Sequence, residues 1–157
     1  MSEQHEGFKK RFFASLHSVF VAGEMLSKAG FDVEIRALRA APTAADAPDY
    51  VDNGDIFATK DGRRTRHEVH HYSGKFTGAE DYPYQHLLVG SKAAVDRANG
   101  TVASWIILDE DYENAAIVFF KTHDYWYEVD IHARNTGNIE KKYACPKELA
   151  AWRKVSP

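Results

Sequence analysis

The sequence lacks the features that mark secreted and membrane proteins. Its 157 residues include a single cysteine, Cys145, so an intrachain disulfide is excluded and a reducing compartment is expected. No stretch approaches the roughly 20 consecutive apolar residues of a membrane helix. The polar N-terminal residues also lack the apolar run of a signal peptide. These absences predict a cytoplasmic protein with no membrane contact.

Strong net charge is also missing. The chain has 20 basic and 23 acidic residues and a net charge of −3, so any attraction to nucleic acid must come from a local basic cluster. The candidate basic residues are Lys60, Arg63, Arg64, Arg66 and Lys75. A solvated hairpin tip explains most of this cluster equally well. The composition, 44% hydrophobic and 27% charged, is that of one ordered domain over residues 1–157.

Two periodic patterns open the chain. Apolar residues recur at spacings of three and four, which is typical of an amphipathic helix that buries one face. They are Phe8, Phe12, Leu16, Val19 and Leu26, with Gly23 filling the one gap in the pattern. The pattern ends at Gly30, a common C-terminal cap. Residues 31–36 then alternate between apolar and charged, so a half-buried strand is expected there.

The middle of the chain predicts a loop, a hairpin and a second helix. Residues 40–54 are rich in Ala, Pro and Asp and have no period, which indicates a surface loop. Asp61-Gly62 between two β-prone runs, 56–59 and 65–72, is a strong hairpin signal. Helical spacing returns over 84–98. The remaining predicted elements are strands over 103–108, 115–121 and 125–132 and a short helix over 146–155.

Three polar residues interrupt the apolar pattern of the hairpin: Asp55, Glu68 and His70. Glu68 and His70 are two apart on a predicted strand, so both should face one side while Val69 faces the core. Asp55 opens the paired strand. Two carboxylates on neighbouring strands repel each other unless a cation neutralises them, and hard oxygen ligands suit Mg²⁺ or Mn²⁺. The pattern therefore predicts one divalent-metal site.

A second aspartate competes for this position. Pro48-Asp49 lies 19 residues before Glu68 and would also supply a carboxylate. We prefer Asp55 because it abuts a predicted strand, which would hold its carboxylate rigidly, whereas Asp49 lies in the predicted loop.

The residues Gly54-Asp55-Ile56 and Glu68-Val69-His70 resemble the motif of the PD-(D/E)XK nuclease superfamily, a strand-opening Asp followed across a hairpin by Asp/Glu-X-Lys. Glu24, before Gly30 and the first strand, resembles the first-helix Glu of many members, including archaeal-type Holliday junction resolvases. Gln85 matches a Gln found in several branches, and residues 76–84, FTGAEDYPY, resemble small phage-borne members.

The resemblance covers roughly residues 10–110. It implies an α/β fold with a restriction-endonuclease-like core of helix, three-stranded meander, helix and strand, followed here by further strands and a short helix. It also implies Mg²⁺ or Mn²⁺ as cofactor, with Asp55, Glu68 and Glu24 as metal ligands and Gln85 in support. DNA is the implied substrate, with RNA not distinguished, and many members are homodimers.

His70 departs from the family, which has Lys at this position. That Lys is thought to orient the attacking water and stabilise developing charge, roles suited to an ammonium group. A neutral imidazole could act as a general base or a metal ligand. Lys60 or Lys75 could supply the missing charge, or catalysis could be lost and a binding fold retained.

Residues 67–71, HEVHH, also read as H-E-x-x-H, the signature of zinc peptidases. That chemistry needs a helix, on which two His one turn apart share the ion. No helical pattern encloses these residues, and on a strand His67 and His71 would lie nearly 13 Å apart. The sequence thus favours a metal-dependent nuclease, with a non-catalytic binding or interaction protein as the alternative and a zinc peptidase as the least favoured function.

Overall fold

The computed structural model describes residues 3–36, 40–43, 45–46, 55–133 and 137–156, which form an α/β structure with two sheets. The elements are α1 (Glu3–Lys28), β1 (Asp32–Ile35), β2 (Ile56–Lys60), β3 (Arg63–His71), β4 (His86–Ser91), α2 (Lys92–Ala98), β5 (Val102–Leu108), β6 (Asn114–Phe119), β7 (Tyr127–His132), β8 (Ile139–Pro146) and β9 (Ala151–Lys154). Short 3-10 turns cover Phe120–Tyr125 and Lys147–Leu149.

The larger sheet is mixed, and its six strands run in the order β1-β2-β3-β5-β6-β9. Its first three strands form an antiparallel meander, while β5 runs parallel to β3. A parallel neighbour requires a crossover connection, and β4 and α2 provide it. The smaller, three-stranded sheet has the order β4-β8-β7 and is antiparallel.

The two faces of the larger sheet are covered differently. Helix α1 packs on one face, where Val19, Ala22 and Leu26 join the core that contains Ile56 and Ile106. The second core lies on the other face and includes residues of β4, α2, β5 and β8. Side chains that alternate along one strand therefore enter different environments.

Helix α1 ends as the sequence predicts and passes directly into β1. Gly30 adopts a φ of 88°, a left-handed conformation that favours glycine. The amide of Phe31 donates to the carbonyl of Leu26 at 3.1 Å. Gly23 lets the helix approach the sheet, because a Cβ at this position would lie 3.0 Å from Cδ1 of Ile35. The helix and the sheet are thus in close contact.

The Asp-Gly hairpin is confirmed. Asp61 and Gly62 have φ values of 51° and 75°, which match the two positive φ angles of a type I′ turn. Strands β2 and β3 pair antiparallel from Lys60↔Arg63 to Ile56↔His67. This register fixes which residues of the two strands share a face.

Two predicted helices are wrong in part or in whole. The stretch 84–98 forms strand β4 before α2, so helix α2 covers only its last seven residues, Lys92–Ala98. Residues 146–155 form the end of β8, a 3-10 turn and β9 instead of a terminal helix. In both places, pairing with a distant strand overrides local helical spacing. Among the residues that the structure describes, none forms a helix long and apolar enough to cross a membrane.

Candidate functional site

A half-open cleft of about 540 Å³ lies between β3, β5 and α2. The side chains of Glu68 and His70 both line it, on the face opposite Val69, as expected from their spacing. The complete lining is Arg66, Glu68, His70, Gly90, Ser91, Ala94, Val95, Arg97, Ala98, Thr101, Val102 and Trp105. The cleft thus brings Glu68 and His70 of the sequence motif together with residues from α2 and β5.

Strand register explains this arrangement. Glu68 pairs with Trp105 and His70 with Ile107, and both partners belong to the core on the α2 side of the sheet. Val69 pairs with Ile106, which belongs to the core under α1. A slip of one residue would bury Glu68 and His70 under the helix. The parallel β3–β5 pairing therefore determines that these polar groups open into the cleft.

Glu68 forms an ion pair inside the cleft. Its Oε1 accepts a hydrogen bond from Nη2 of Arg66 at 2.6 Å, and both side chains are about four-fifths buried, with 20% and 23% exposed. Nε of Arg66 is also buried, yet it has no hydrogen-bond partner among the described residues. Buried donors are normally paired, so this nitrogen is an exception to the usual pattern.

Asp55 lies beside Glu68, immediately before β2. The next residue, Ile56, pairs with His67, which places Asp55 alongside Glu68 in the antiparallel register. Oδ2 of Asp55 accepts a hydrogen bond from the amide of Val69 at 2.7 Å. The residue is 9% exposed. The carboxylate thus accepts a hydrogen bond from the backbone of β3 just before β2 begins, which fixes it next to the motif strand.

The residues present fit a metal ion that is held by few protein ligands. Within the described ranges, no three His, Cys, Asp or Glu side chains are grouped closely enough to hold an ion. However, Mg²⁺ retains several waters and commonly uses only one or two carboxylates. Asp55 and Glu68 supply two carboxylates with hard oxygen atoms from neighbouring positions of the sheet. A Mg²⁺-type site therefore fits these two residues better than a site that needs a full protein cage.

His70 is neutral at pH values well above 4. Desolvation in the cleft, with a smaller contribution from the positive charge of Lys142, lowers its pKa from 6.5 to about 4. Lys142 lies on β8 opposite Ser91, which itself lines the cleft. With His70 neutral, Arg66 and Arg97 outweigh Glu68 by one positive charge in the cleft lining. The charge balance is suited to an anion.

Two predicted site residues lie elsewhere. Glu24 is on the solvent side of α1, where it pairs with Lys28 at 3.2 Å and is 67% exposed. Helix α1 covers the opposite face of the sheet from Glu68. Gln85 is exposed at a bend before β4 and is not on a helix. Asp49 lies outside the described residues. The structure thus places Glu68 and His70 in the cleft lining and Asp55 beside Glu68 but outside that lining, and it places Glu24 and Gln85 elsewhere.

The predicted basic cluster is divided by the hairpin. Arg64 and Arg66 lie on the cleft face, whereas Lys60 donates to the carbonyl of Ala29 at 2.8 Å at the end of α1. Arg63, the partner of Lys60 at the hairpin end, is exposed. Lys75 pairs with Asp111 at 2.6 Å, and this hydrogen bond raises the pKa of Lys75. The residues therefore do not form one continuous basic surface.

Several cleft residues gave no recognisable signal in the sequence. Arg97 lies in the last turn of α2, where a basic residue is expected to stabilise the helix dipole. Ser91 caps α2, since its Oγ accepts from the amide of Ala94 at 3.2 Å. Trp105 has the apolar neighbours of a core strand. Arg97, Ser91 and Trp105 come together in the cleft because the chain crosses over from β3 to β5, and this crossover is not visible in the local sequence.

The H-E-x-x-H residues lie on strand β3, so the helix required by a zinc peptidase is replaced by an extended chain. His67 is 7% exposed, and its Nδ1 is 2.7 Å from Oγ of Ser104. Burial lowers the pKa of His67 to about 4. His71 is exposed and stacks on Tyr112. On the α1 side of the sheet, His67 is therefore a packed core residue and His71 is a surface residue.

Comparison with known proteins finds no matching family model, no matching curated protein and no matching solved structure.

Proposed function

We propose that this protein is a nuclease that hydrolyses phosphodiester bonds of DNA in the cleft, with Asp55 and Glu68 holding Mg²⁺ or Mn²⁺. One observation carries the proposal: Glu68 and His70 open into the cleft from β3, while Asp55 is held beside Glu68 immediately before β2. The order of helix, antiparallel meander, helix and parallel strand supports a restriction-endonuclease-like core, with β4 as an added strand before α2.

The chain's own residues would bind the phosphate and move a proton. Arg66 and Arg97 both line the cleft, and their guanidinium groups offer donors to phosphate oxygens, which arginine binds well because of its planar fork. Neutral His70 has a ring nitrogen able to accept a proton from an attacking water. The ion, when bound, would neutralise charge on the phosphate and polarise it as a Lewis acid.

A cleavage assay tests the proposal. Purified protein is incubated with supercoiled, linear and branched DNA, and with RNA, in Mg²⁺, Mn²⁺ or EDTA. We expect cleavage only with a divalent ion, and loss of cleavage in Asp55→Asn and Glu68→Gln. Both substitutions retain the shape of the side chain and remove the charge needed to bind a cation.

His71→Gln is the matched control, because His71 is exposed on the opposite face of the same strand. This variant should cleave as the wild type does. An absence of cleavage on every substrate, or equal cleavage by Glu68→Gln and wild type, would contradict the nuclease proposal.

The Arg66–Glu68 ion pair favours a second candidate, a nucleic-acid-binding or protein-interaction module without catalysis. Arg66 already compensates the charge of Glu68, so the carboxylate does not require a cation for its stability. In this case the protein binds without turnover, and His70→Lys gains metal-dependent cleavage that the parent lacks. Calorimetric titration with Mn²⁺ separates the candidates, since only the nuclease requires ion binding that Asp55→Asn abolishes.

A further inference from the structure

On the cleft side, no helix among the described residues packs on the half of the larger sheet that β1 and β2 form, and we call this face the uncovered face. Val33, Ile35 and Ala58 pack towards α1, so the alternate residues of β1 and β2 face the other way. Helix α2 packs against β4 and β8 and not against β1 or β2. The uncovered face carries Asp32, Glu34, Arg36, Phe57, Thr59 and Arg64. It borders the cleft along β3.

Two arginines are organised on this face around one aromatic ring. The guanidinium carbons of Arg36 and Arg64 lie 4.6 Å and 4.3 Å from the centroid of Phe57. Glu34 pairs with both, at 3.5 Å and 2.9 Å. Stacking and ion pairing reduce the rotamer freedom of the two side chains while leaving them 45% and 51% exposed. They are therefore partly preorganised for a further anionic partner.

The arginine pair and the cleft are connected along strand β3. Arg64, Arg66 and Glu68 alternate along β3, so all three lie on one face. The distance along the strand from Arg64 to Glu68 is roughly 13 Å at about 3.3 Å per residue. A stacked strand advances about 3.4 Å per nucleotide, so this distance corresponds to roughly four nucleotides. One nucleic-acid strand could reach both sites.

We propose that the uncovered face of β1–β3, centred on Arg36, Phe57 and Arg64, binds the sugar–phosphate backbone of nucleic acid a few nucleotides from the bond held in the cleft. The identity of this ligand rests on the proposed function. Guanidinium groups already lie over the ring of Phe57, so the contacts are made to phosphates and not by stacking on bases. Binding through phosphates is independent of base sequence.

Glu34 is the carboxylate that joins Arg36 and Arg64. It shares its charge with both arginines and opposes an incoming phosphate. Removing that charge should strengthen binding, whereas removing the arginines should weaken it. A face with a purely structural role would show no such opposite response, because both changes break the same ion pairs.

The test measures binding separately from cleavage. Fluorescence anisotropy of a labelled oligonucleotide, single-stranded or as a duplex, is followed in EDTA at increasing salt. We expect Arg36→Ala/Arg64→Ala to weaken binding at low salt by about tenfold or more and to reduce the salt dependence. For a single strand, the slope of log affinity against log salt should fall by about 0.7 for each lost contact. Glu34→Gln should bind more tightly than wild type.

Arg63→Ala is the matched control, since Arg63 is exposed on the same hairpin but alternates onto the opposite face. It should bind like the wild type. The inference is overturned if the double variant keeps wild-type affinity and salt slope, if Arg63→Ala loses as much affinity, or if the wild type binds neither probe at low salt. A protein that binds in EDTA but never cleaves retains this inference and loses the nuclease proposal.

Discussion

The two faces of strand β3 place histidines in contrasting surroundings. His67 is sealed under the α1 side, with Ser104 at 2.7 Å and Thr65 at 2.8 Å from its ring nitrogens. His70 lies in the cleft with Glu68 and Arg66. The pKa of each falls to about 4 through desolvation, but only at His70 does a nearby cation contribute. The two histidines therefore have similar pKa values, although His67 is packed in the core and His70 lines an open cleft.

The largest expected effect separates the two histidines. Under the nuclease proposal, His70→Ala should lower kcat by about 10²–10⁴-fold, the usual contribution of general acid–base catalysis. His67→Ala should leave kcat nearly unchanged but lower the free energy of unfolding by about 2–4 kcal/mol, because it leaves a cavity and an unpaired hydroxyl of Ser104. Steady-state kinetics and urea titration of both variants measure this. If His70→Ala and His67→Ala changed kcat equally and also changed the free energy of unfolding equally, the two histidines would not have separate roles.

The next effect concerns stability on the α1 face. Ile106 is 1% exposed in the core under α1, so Ile106→Ala should lower the free energy of unfolding by about 2–5 kcal/mol. Arg97→Ala, an exposed position at the cleft, should change it by less than about 0.5 kcal/mol. Urea unfolding followed by tryptophan fluorescence measures both. A greater loss for Arg97→Ala would mean that the cleft wall is part of the stabilising core.

The same contrast shows what the sequence could predict. The spacing of Glu68, Val69 and His70 was enough to assign opposite faces, because strand alternation is local. The arrangement of Arg97, Ser91 and Trp105 around them depends on the parallel β3–β5 pairing, which is a long-range contact that no local pattern encodes. The hairpin was also predicted from local sequence, because Asp61 and Gly62 by themselves favour the type I′ turn that joins β2 to β3.

The errors also have physical causes. Leu87 and Val89 are both fully buried with Leu88 half-buried between them, which is the alternation of a strand. Their sequence also fits helical spacing, and pairing of β4 with β8 decides between the two. At the C-terminus, pairing of Trp152 with Ala116 makes an edge strand from a segment that has helical spacing. Short apolar runs are ambiguous in this way.

A smaller effect is expected in the pH dependence of stability. His67 stays neutral in the fold down to about pH 4, whereas in the unfolded chain it takes up a proton below about 6.5. Unfolding therefore binds a proton in this window, so stability is full above pH 6.5 and falls as the pH drops towards 4. The loss due to His67 is at most about 3 kcal/mol.

Urea titrations across this range measure the loss. His67→Gln should show a shallower decline of the free energy of unfolding than the wild type, while His71→Gln, on the exposed end of the strand, should follow the wild type. Identical declines in wild type and His67→Gln would show that His67 does not titrate in this window.

The smallest effect concerns the cation near His70. Lys142→Gln removes the positive charge that adds to desolvation, so the pKa of His70 should rise. Because desolvation is the larger cause, the rise should stay below about one pH unit. An NMR titration of the His70 ring measures it and does not depend on activity. The pKa of His67 should not move, and an equal rise at both rings would contradict a local effect of Lys142.

The most direct test of the site is anomalous diffraction from crystals soaked with Mn²⁺. The proposal predicts one ion in the cleft, bound by carboxylate oxygens of Asp55 and Glu68 at about 2.0–2.2 Å with waters completing its shell. It also predicts that Asp55→Asn crystals lose this peak. A protein that cleaves DNA with Mn²⁺ while its crystals hold the ion away from both carboxylates, or no ion at all, would contradict the proposed centre.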